Sequence, residues 1–135
     1  MSLSECRMIN LPKITTSKGN LTFVEENSHI PFEIKRTYYC YDIPKGITKG
    51  GHAHKNLHQL IIAISGSFDV LLDDGVKRTS FHLDKPNLGL YVPPMIWHEL
   101  NNFTLGAICL VIVSELYNKE VTVSSYQTYR KMVVD

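Results

Sequence analysis

Short apolar and β-branched runs of four to eight residues recur along this chain, and Gly, Asn, Asp and Pro separate them. This spacing is typical of an antiparallel sandwich or barrel, and it leaves little room for helices. The pattern predicts strands at Leu21–Glu25, Phe32–Asp42, Gly51–His54, Leu60–Ser65, Ser67–Leu72, Lys77–His82, Gly89–Val92, Trp97–Asn101 and Ala107–Ser114. Residues 126–132 are predicted to form either a short amphipathic helix or an edge segment.

Two junctions between these runs carry residues that are typical of hairpin turns. Ser65-Gly66 separates two apolar runs, and Asp73-Asp74-Gly75 separates the next two. Asp-Gly and Gly supply the positive φ angles that the tightest hairpin turns need. The strands on either side of each junction are therefore predicted to be antiparallel neighbours.

Length and charge narrow the class of protein further. A chain of 135 residues is long enough for one domain with a real core, so we expect a single domain over residues 1–135. The net charge of +1 predicts neither a nucleic-acid partner nor an anionic membrane surface. No apolar run is long enough to span a membrane, and the first residues lack a signal pattern, so a cytoplasmic location is expected.

Histidines are the candidate functional residues. Residues i and i+2 of a strand point to the same side, so the imidazoles of His52 and His54 should share one small volume. Gly50-Gly51 just before them is typical of a cavity wall, although ordinary surface histidines remain an alternative. Two further histidines, His58 and His98, can join this group.

Here the chain resembles the cupin family. The first cupin motif is matched by Gly46, by His52-Ala53-His54, by His58 at the position of the family's carboxylate and by Gly66 one place late. The second motif is matched by Pro93, His98 and Asn102, with Met95 where Gly is usual and Asn87 at the upstream Gly position. The order and separation of the motifs imply an all-β cupin fold, a jelly-roll double-sheet antiparallel β-barrel.

A narrower resemblance covers nearly the whole chain. It looks like the dTDP-4-keto-6-deoxyglucose 3,4-ketoisomerases in Gly19-Asn20-Leu21, Pro31-Phe32-x-Ile34-Lys35-Arg36-x-Tyr38-Tyr39, Gly51-His52-Ala53-His54-Lys55, Gly66-Ser67, Leu72-Asp73-Asp74-Gly75 and Gly89-Leu90-Tyr91-Val92-x-Pro94-x-Ile96-Trp97-His98-Glu99. This resemblance implies an isomerase that moves a carbonyl between C4 and C3 of a sugar on a dTDP handle, without a cofactor. It also implies a homodimer, and a role in making 3-amino sugars for surface glycans such as lipopolysaccharide and S-layer glycan.

The resemblance assigns roles to particular residues. His52 and His54 are the expected proton-transfer pair, because histidine can be base in one half-reaction and acid in the next. Arg36, Lys49 and Lys18 are candidates for binding the diphosphate. The aromatic candidates for stacking on sugar or thymine are Tyr38, Tyr39, Tyr91 and Trp97. His98 is expected to influence the configuration at C4, with a galacto product favoured.

Two other classes of function remain open from the sequence. His52, His54, His58 and His98 are together a credible ligand set for a divalent metal, which would make the chain a metal-dependent cupin enzyme. The third hypothesis is a sugar-binding cupin without catalysis, which the paired histidines disfavour because binding a neutral sugar does not require them.

Overall fold

The computed structural model describes residues 2–134 and contains mostly antiparallel strands. Its strands are β1 Arg7–Asn10, β2 Lys13–Thr16, β3 Gly19–Thr22, β4 Arg36–Cys40, β5 Lys49–His54, β6 Gln59–Ser65, β7 Phe68–Asp73, β8 Arg78–Leu83, β9 Leu88–Val92, β10 Trp97–Asn101, β11 Ile108–Val113 and β12 Thr122–Val123. Short 3-10 helices cover Leu3–Glu5 and Lys119–Val121, and one α-helix, α1, covers Tyr126–Val134. Within residues 2–134, no helix combines the length and apolar character needed to cross a membrane.

Two five-stranded antiparallel sheets face each other. Sheet I has the strand order β1-β9-β6-β11-β4, and sheet II has the order β12-β5-β10-β7-β8. The β2–β3 hairpin forms a separate two-stranded ribbon. Consecutive strands alternate between the sheets along much of the chain, and this confirms the predicted double-sheet jelly roll.

The main core lies between the sheets. Its fully buried members include Phe68, Val70, Leu72, Leu90 and Val92. A second apolar cluster covers the outer face of sheet I, and a third lies behind sheet II, between β5, β10 and α1. Because strand side chains alternate, a strand of each sheet can contribute to the main core with one face and to an outer cluster with the other.

Three strands were not predicted from the sequence. β1, β2 and β12 are short, and β2 is exposed along its whole length, so these segments carry no alternating apolar signal. Most predicted strands agree with the observed bounds to within one or two residues, and two differ by three or more at one end. The run predicted at 21–25 begins earlier, at Gly19, and the long run predicted at 32–42 is a strand only over Arg36–Cys40.

The two predicted hairpins have different outcomes. β7 and β8 pair across Asp73-Asp74-Gly75, where Asp73 accepts a hydrogen bond from the Gly75 amide at 2.6 Å, so this hairpin is confirmed. The Ser65-Gly66 hairpin is wrong, because β6 and β7 belong to different sheets. Both edges of β6 are taken by β9 and β11. Gly66 instead forms a tight corner between the sheets, where a Cβ would lie 2.5 Å from the Thr104 hydroxyl.

The C-terminal segment is a helix that packs behind sheet II. The buried Tyr129 ring lies against Trp97, with ring centroids 5.6 Å apart. Its hydroxyl lies 2.9 Å from the carbonyl oxygen of Asp73 and 2.8 Å from that of Met95. The Tyr126 hydroxyl donates to the Asp73 carboxylate at 2.9 Å. Hydrogen bonds from α1 thus attach it to both the β7–β8 turn and the segment that precedes β10.

We predict that Tyr129→Phe lowers the free energy of unfolding by about 1–3 kcal/mol, because the carbonyl groups of Asp73 and Met95 lose the one hydroxyl proton that they share while the ring stays in place. Urea unfolding followed by circular dichroism measures this change. The matched control is Tyr117→Phe, in which the hydroxyl belongs to a side chain that is 72% exposed, and a change below about 0.5 kcal/mol is expected there. Equal stabilities for the two variants would contradict the anchoring role of the Tyr129 hydroxyl.

Candidate active site

The pairing of β5 with β10 positions the histidines. His52 is the direct register partner of His98, and Gly50 is the partner of Glu99, so Gly51 is an extra residue that forms a β-bulge. Gly50 and Gly51 have φ angles of 86° and 78°, which glycine adopts without strain. A Cβ at Gly50 would also lie 3.0 Å from the carbonyl oxygen of His98. The two glycines therefore allow β5 to bend closely against β10 just before the histidine pair.

The structure brings together three of the predicted histidines. Ring centroids are 5.0 Å apart for His52 and His54, 5.0 Å for His52 and His98, and 5.5 Å for His54 and His98. One nitrogen from each ring lies within 4.8 Å of the other two. Ala53, between His52 and His54, is fully buried in the apolar cluster behind sheet II, as strand alternation requires.

Burial keeps these imidazoles neutral at neutral pH. It lowers the pKa of His52 below its usual 6.5, with the Gly50 carbonyl acting in the opposite direction. It lowers the pKa of His54 to about 4, and the neighbouring His52 and Arg36 charges act in the same direction. His98 is 4% exposed, and burial together with the two other histidines lowers its pKa to about 3. A cluster of neutral rings has nitrogen lone pairs available to accept protons.

The three rings differ in their hydrogen bonds. Nδ1 of His54 lies 3.0 Å from the Thr122 hydroxyl on β12. Nδ1 of His98 is buried and has no hydrogen-bond partner within residues 2–134. A buried polar atom without a partner is unusual in a folded protein, and a water molecule, an ion or a catalytic role are its common explanations.

Two cavities meet at this cluster. The outer cavity, of about 800 Å³, is lined by His52 and His54 and by the loop over residues 115–119. The inner cavity, of about 370 Å³, lies between the sheets and is lined by His52 and His98. His52 and Tyr38 line both cavities, so the histidine cluster lies where the two cavities meet.

Arg36 lies in the wall of the outer cavity. Its guanidinium carbon is 5.2 Å from the centroid of the Tyr38 ring and 5.7 Å from that of Tyr117. Its Nε donates to the Glu115 carbonyl oxygen at 3.4 Å. These contacts orient the planar group while the rest of its donors stay available for an anion. Arg36 and Tyr38 therefore lie beside the histidines, on the face of β4 that lines the outer cavity.

Lys49 is at the start of β5, but it faces the inner cavity with Gly50 and His52. Its charge also acts on the buried Cys109, whose pKa is raised to about 12 mainly by burial. Lys49 thus lines the smaller cavity, whereas Arg36 lines the larger one.

Three residues predicted to bind the substrate lie elsewhere in this chain. Tyr39 points to the opposite side of β4 from Tyr38 and is 62% exposed beside Tyr41. Tyr91 is buried in the cluster on the outer face of sheet I. Lys18 is exposed in the turn of the β2–β3 ribbon, away from both cavities. Strand alternation explains the two tyrosines, because each follows a residue that faces inward.

Trp97 and His58 also lie away from the histidine cluster. Trp97 packs behind sheet II with Ala53 and Tyr129. His58 precedes β6, where its ring stacks on Phe32 and its Nδ1 is 2.7 Å from the Tyr91 hydroxyl. His58 is therefore not part of the metal-ligand set to which the sequence had assigned it.

Gln59 is the residue that the sequence interpretation missed at this position. It is 2% exposed and lines the inner cavity together with His52 and His98. Counting four residues instead of three after His54 places Gln59 at the carboxylate position of the cupin motif, and Gly66 then falls in register. This spacing was visible in the sequence. Thr122 and the 115–119 loop, by contrast, carry no motif.

The second motif is explained by backbone geometry. Met95, at the usual Gly position, has a φ of 64°, and Asn102 has a φ of 55°. Both residues adopt the left-handed conformation that glycine and asparagine accept most readily. Met95 thus keeps the backbone conformation of the motif although it replaces the usual glycine. Its amide donates to the His54 carbonyl oxygen at 2.8 Å.

Comparison with known proteins gives one consistent family. A curated relative, the TDP-4-oxo-6-deoxy-alpha-D-glucose-3,4-oxoisomerase of Aneurinibacillus thermoaerophilus, is 40% identical over 96% of this chain and 93% of its own length. QdtA, a sugar 3,4-ketoisomerase from Thermoanaerobacterium thermosaccharolyticum solved with TDP, has a TM-score of 0.95 at 35% identity, with 98% of this chain and 97% of that chain covered.

A histidine-to-asparagine mutant of the same QdtA, solved with TDP-4-keto-6-deoxyglucose, gives a TM-score of 0.94 at 35% identity, with 98% and 96% of the two chains covered. The family model FdtA, described as WxcM-like, C-terminal, matches residues 4–134. The chain therefore belongs to the FdtA (WxcM-like, C-terminal) family, within the cupin-fold sugar 3,4-ketoisomerases that its motifs resemble.

Proposed function

We propose that this chain converts dTDP-4-keto-6-deoxyglucose to a dTDP-3-keto-6-deoxyhexose by histidine-mediated proton transfer through an enediolate. The observation that carries this proposal is the cluster of His52, His54 and His98 at the junction of two cavities. The relatives named for 3,4-ketoisomerase activity support the same reaction.

The reaction needs groups that take up and return protons. A base removes the proton from C3 beside the C4 carbonyl, which gives an enediolate. Protonation at C4, with transfer of the C3 hydroxyl proton to the C4 oxygen, then leaves a carbonyl at C3 and a hydroxyl at C4. A neutral imidazole accepts the first proton, and the imidazolium formed can return a proton to the neighbouring carbon. His52 and His54 are neutral and lie on one face of β5, so they fit these two roles.

The two cavities suggest which part of the substrate binds where. The outer cavity holds Arg36, which can grip an oxygen anion of the diphosphate, and the exposed Tyr117 of the 115–119 loop lies nearby for stacking on thymine. The smaller inner cavity has room for the hexose beside His52 and His98. Lys49 and Gln59 in that cavity supply donors for the sugar oxygens. The diphosphate role of Lys49 is accordingly replaced by one nearer the sugar.

We assign a galacto product to the enzyme, dTDP-3-keto-6-deoxygalactose. His98 lies on β10, next to β5 in the same sheet, and its ring lines the inner cavity, whereas the His54 ring lines the outer cavity. The two rings therefore take different positions around a sugar bound at the junction. Proton delivery to the other side of a planar enediolate inverts the new centre at C4. The buried Nδ1 of His98, which lacks a partner within residues 2–134, marks that ring as one whose hydrogen bonding is completed by the substrate.

The proposed setting is the cytoplasmic synthesis of 3-amino sugars for surface glycans such as lipopolysaccharide and S-layer glycan. A homodimer is part of the proposal. Large apolar side chains stay exposed on the β2–β3 ribbon and on the outer face of sheet I, namely Ile14, Leu21, Tyr39, Tyr41 and Ile64. A second copy packed on this face would remove these side chains from water. Lys18, in the turn of the ribbon, would then lie beside the second copy.

A metal-dependent reaction is the second candidate, because His52, His54 and His98 have the proximity of a three-histidine ligand set. The lowered pKa values leave their nitrogens free to coordinate. Elemental analysis of protein purified without a histidine tag separates the two candidates. Stoichiometric metal together with loss of turnover on chelation would favour the metal-dependent reaction.

We predict that His52→Asn and His54→Asn each lower turnover about a hundred- to ten-thousand-fold, because a positioned acid-base group contributes an effect of this size. Incubation with dTDP-4-keto-6-deoxyglucose and NMR of the product measures the rate. His82→Asn is the control, because His82 is an exposed ring paired with Asp69 outside both cavities. Wild-type rates in the two β5 variants would refute the catalytic assignment.

The acid limb of the kcat/KM profile is expected to have its midpoint well below pH 6.5, towards pH 4. A base must be neutral to accept a proton, and burial lowers the pKa of His52 and takes that of His54 to about 4. Activity is therefore retained as the pH falls through 6.5 and is lost only when these rings become protonated. Rates measured from pH 4 to 8, with circular dichroism confirming folded protein at each pH, test this. A midpoint at 6.5 or above would contradict it.

Replacement of His98 by Arg should change the configuration of the product at C4 or strongly reduce the rate, because arginine does not release its proton in this pH range. Product analysis by NMR distinguishes the galacto from the gluco epimer. An unchanged galacto product at an undiminished rate would remove His98 from stereocontrol, and a gluco product from the wild-type enzyme would overturn the galacto assignment itself.

A further inference from the structure

We propose that Thr122 is a positioning residue for this reaction, and that its hydroxyl holds the His54 ring in one orientation and one tautomer with Nε2 as the proton-exchanging atom. The inference rests on the proposed function of His54. It assigns a role to β12, a two-residue strand that no sequence motif singles out.

The contact is a direct one between paired strands. Thr122 and His54 are register partners in the β12–β5 pairing, and Oγ1 of Thr122 lies 3.0 Å from Nδ1 of His54. Both side chains line the outer cavity. With Nδ1 engaged by the hydroxyl, Nε2 is the nitrogen of His54 that remains for the substrate.

The backbone places the hydroxyl before any substrate arrives. The Lys55 amide donates to the Val121 carbonyl oxygen at 2.8 Å, just beyond the paired residues. On the opposite face, the buried Val123 packs in the same cluster as its register partner Ala53. Threonine is β-branched and therefore stiff at χ1, so a fixed backbone gives a well-defined oxygen position.

The hydroxyl suits both protonation states of His54. When Nδ1–H donates to Oγ1, the lone pair of the neutral ring is on Nε2, which can then act as base. After Nε2 takes up a proton, the Nδ1–H···Oγ1 hydrogen bond persists and stabilises the imidazolium. The proton can thus be returned without rotation of the ring. The charged or titratable groups facing His54 are His52 on its own strand, His98 on β10 and Arg36 on β4.

Thr122→Val removes the hydroxyl and keeps the branched shape, whereas Thr122→Ser keeps the hydroxyl. We expect kcat to fall about tenfold or more in the valine variant with KM changed less than about twofold, and we expect the serine variant to retain most of the activity. The acid limb of kcat/KM should move to lower pH in the valine variant, because the protonated ring loses an acceptor. Thr79→Val, on the exposed strand β8, is the matched control.

A double-mutant cycle with His54→Asn separates positioning from general damage to the cavity. Thr122→Val should add little to the loss of turnover once His54 is Asn, because both changes act through the same ring. Additive losses would place the effect of Thr122 outside His54 and overturn the proposal.

Nitrogen-15 NMR of histidine-labelled enzyme without substrate reads the tautomer directly, with His54 signals identified by their loss in His54→Asn. We expect Nδ1–H and an unprotonated Nε2 in the wild type and in Thr122→Ser, and a mixture of tautomers in Thr122→Val. A lone pair on Nδ1 in the wild type, or the same tautomer in the valine variant at an unchanged rate, would overturn the inference. Because this readout needs no turnover, it stays decisive even if the wild-type enzyme fails to convert the ketosugar.

Discussion

The positions of the three clustered histidines depend on the hydrogen-bonded pairing of β5 with β10. It places His52 opposite His98, and it holds an extra residue, Gly51, in a bulge. Side-chain alternation then turns His52 and His54 to the cavity and Ala53 to the cluster behind the sheet. A side chain at Gly50 would meet the His98 carbonyl group, so the two strands approach as closely as they do because that position has no Cβ. The arrangement of the three imidazoles thus depends on how closely the backbones of β5 and β10 approach each other.

Burial of these rings has a thermodynamic consequence as well as a chemical one. An unfolded chain binds protons at its histidines near pH 6.5, whereas the folded chain binds them at His54 and His98 only at much lower pH. The folded state therefore loses stability relative to the unfolded state as the pH falls below 6.5, towards the lowered pKa values. The desolvation that keeps these rings neutral at neutral pH also makes the site sensitive to acid. The apolar packing of Trp97 and Tyr129 behind the same strands offsets part of this penalty.

Most of the fold could be predicted from the sequence, because its strands are short apolar runs and its turns contain Gly and Asp. The proximity of His52 and His54 could also be predicted, because residues i and i+2 lie on the same face of any strand. Features that depend on tertiary contacts were less visible. Alternation places Tyr38 and Tyr39 on opposite faces of β4, yet both were named as candidates, because the sequence does not show which face lines the cavity. The destination of Tyr91 likewise depended on which cluster its strand faced. His58 was chosen over Gln59 through a spacing of one residue, and such a slip reverses the face of a strand. The role of Thr122 could not be predicted, because a two-residue strand is too short to show an alternating pattern of apolar residues.

The hydrogen bond between His54 and Thr122 joins residues 68 positions apart in the chain. β5 also pairs with β10, and β1 with β9, so the contacts that build the barrel are dominated by long separations. Chains of this kind close large loops before they gain much contact energy, and they fold slowly for their size. The reactive cluster draws on β4, β5, β10 and β12 at once, so no partly folded intermediate that lacks one of these strands holds it complete. In a refolding experiment, the return of enzymatic turnover should accordingly lag behind the return of β-sheet circular dichroism.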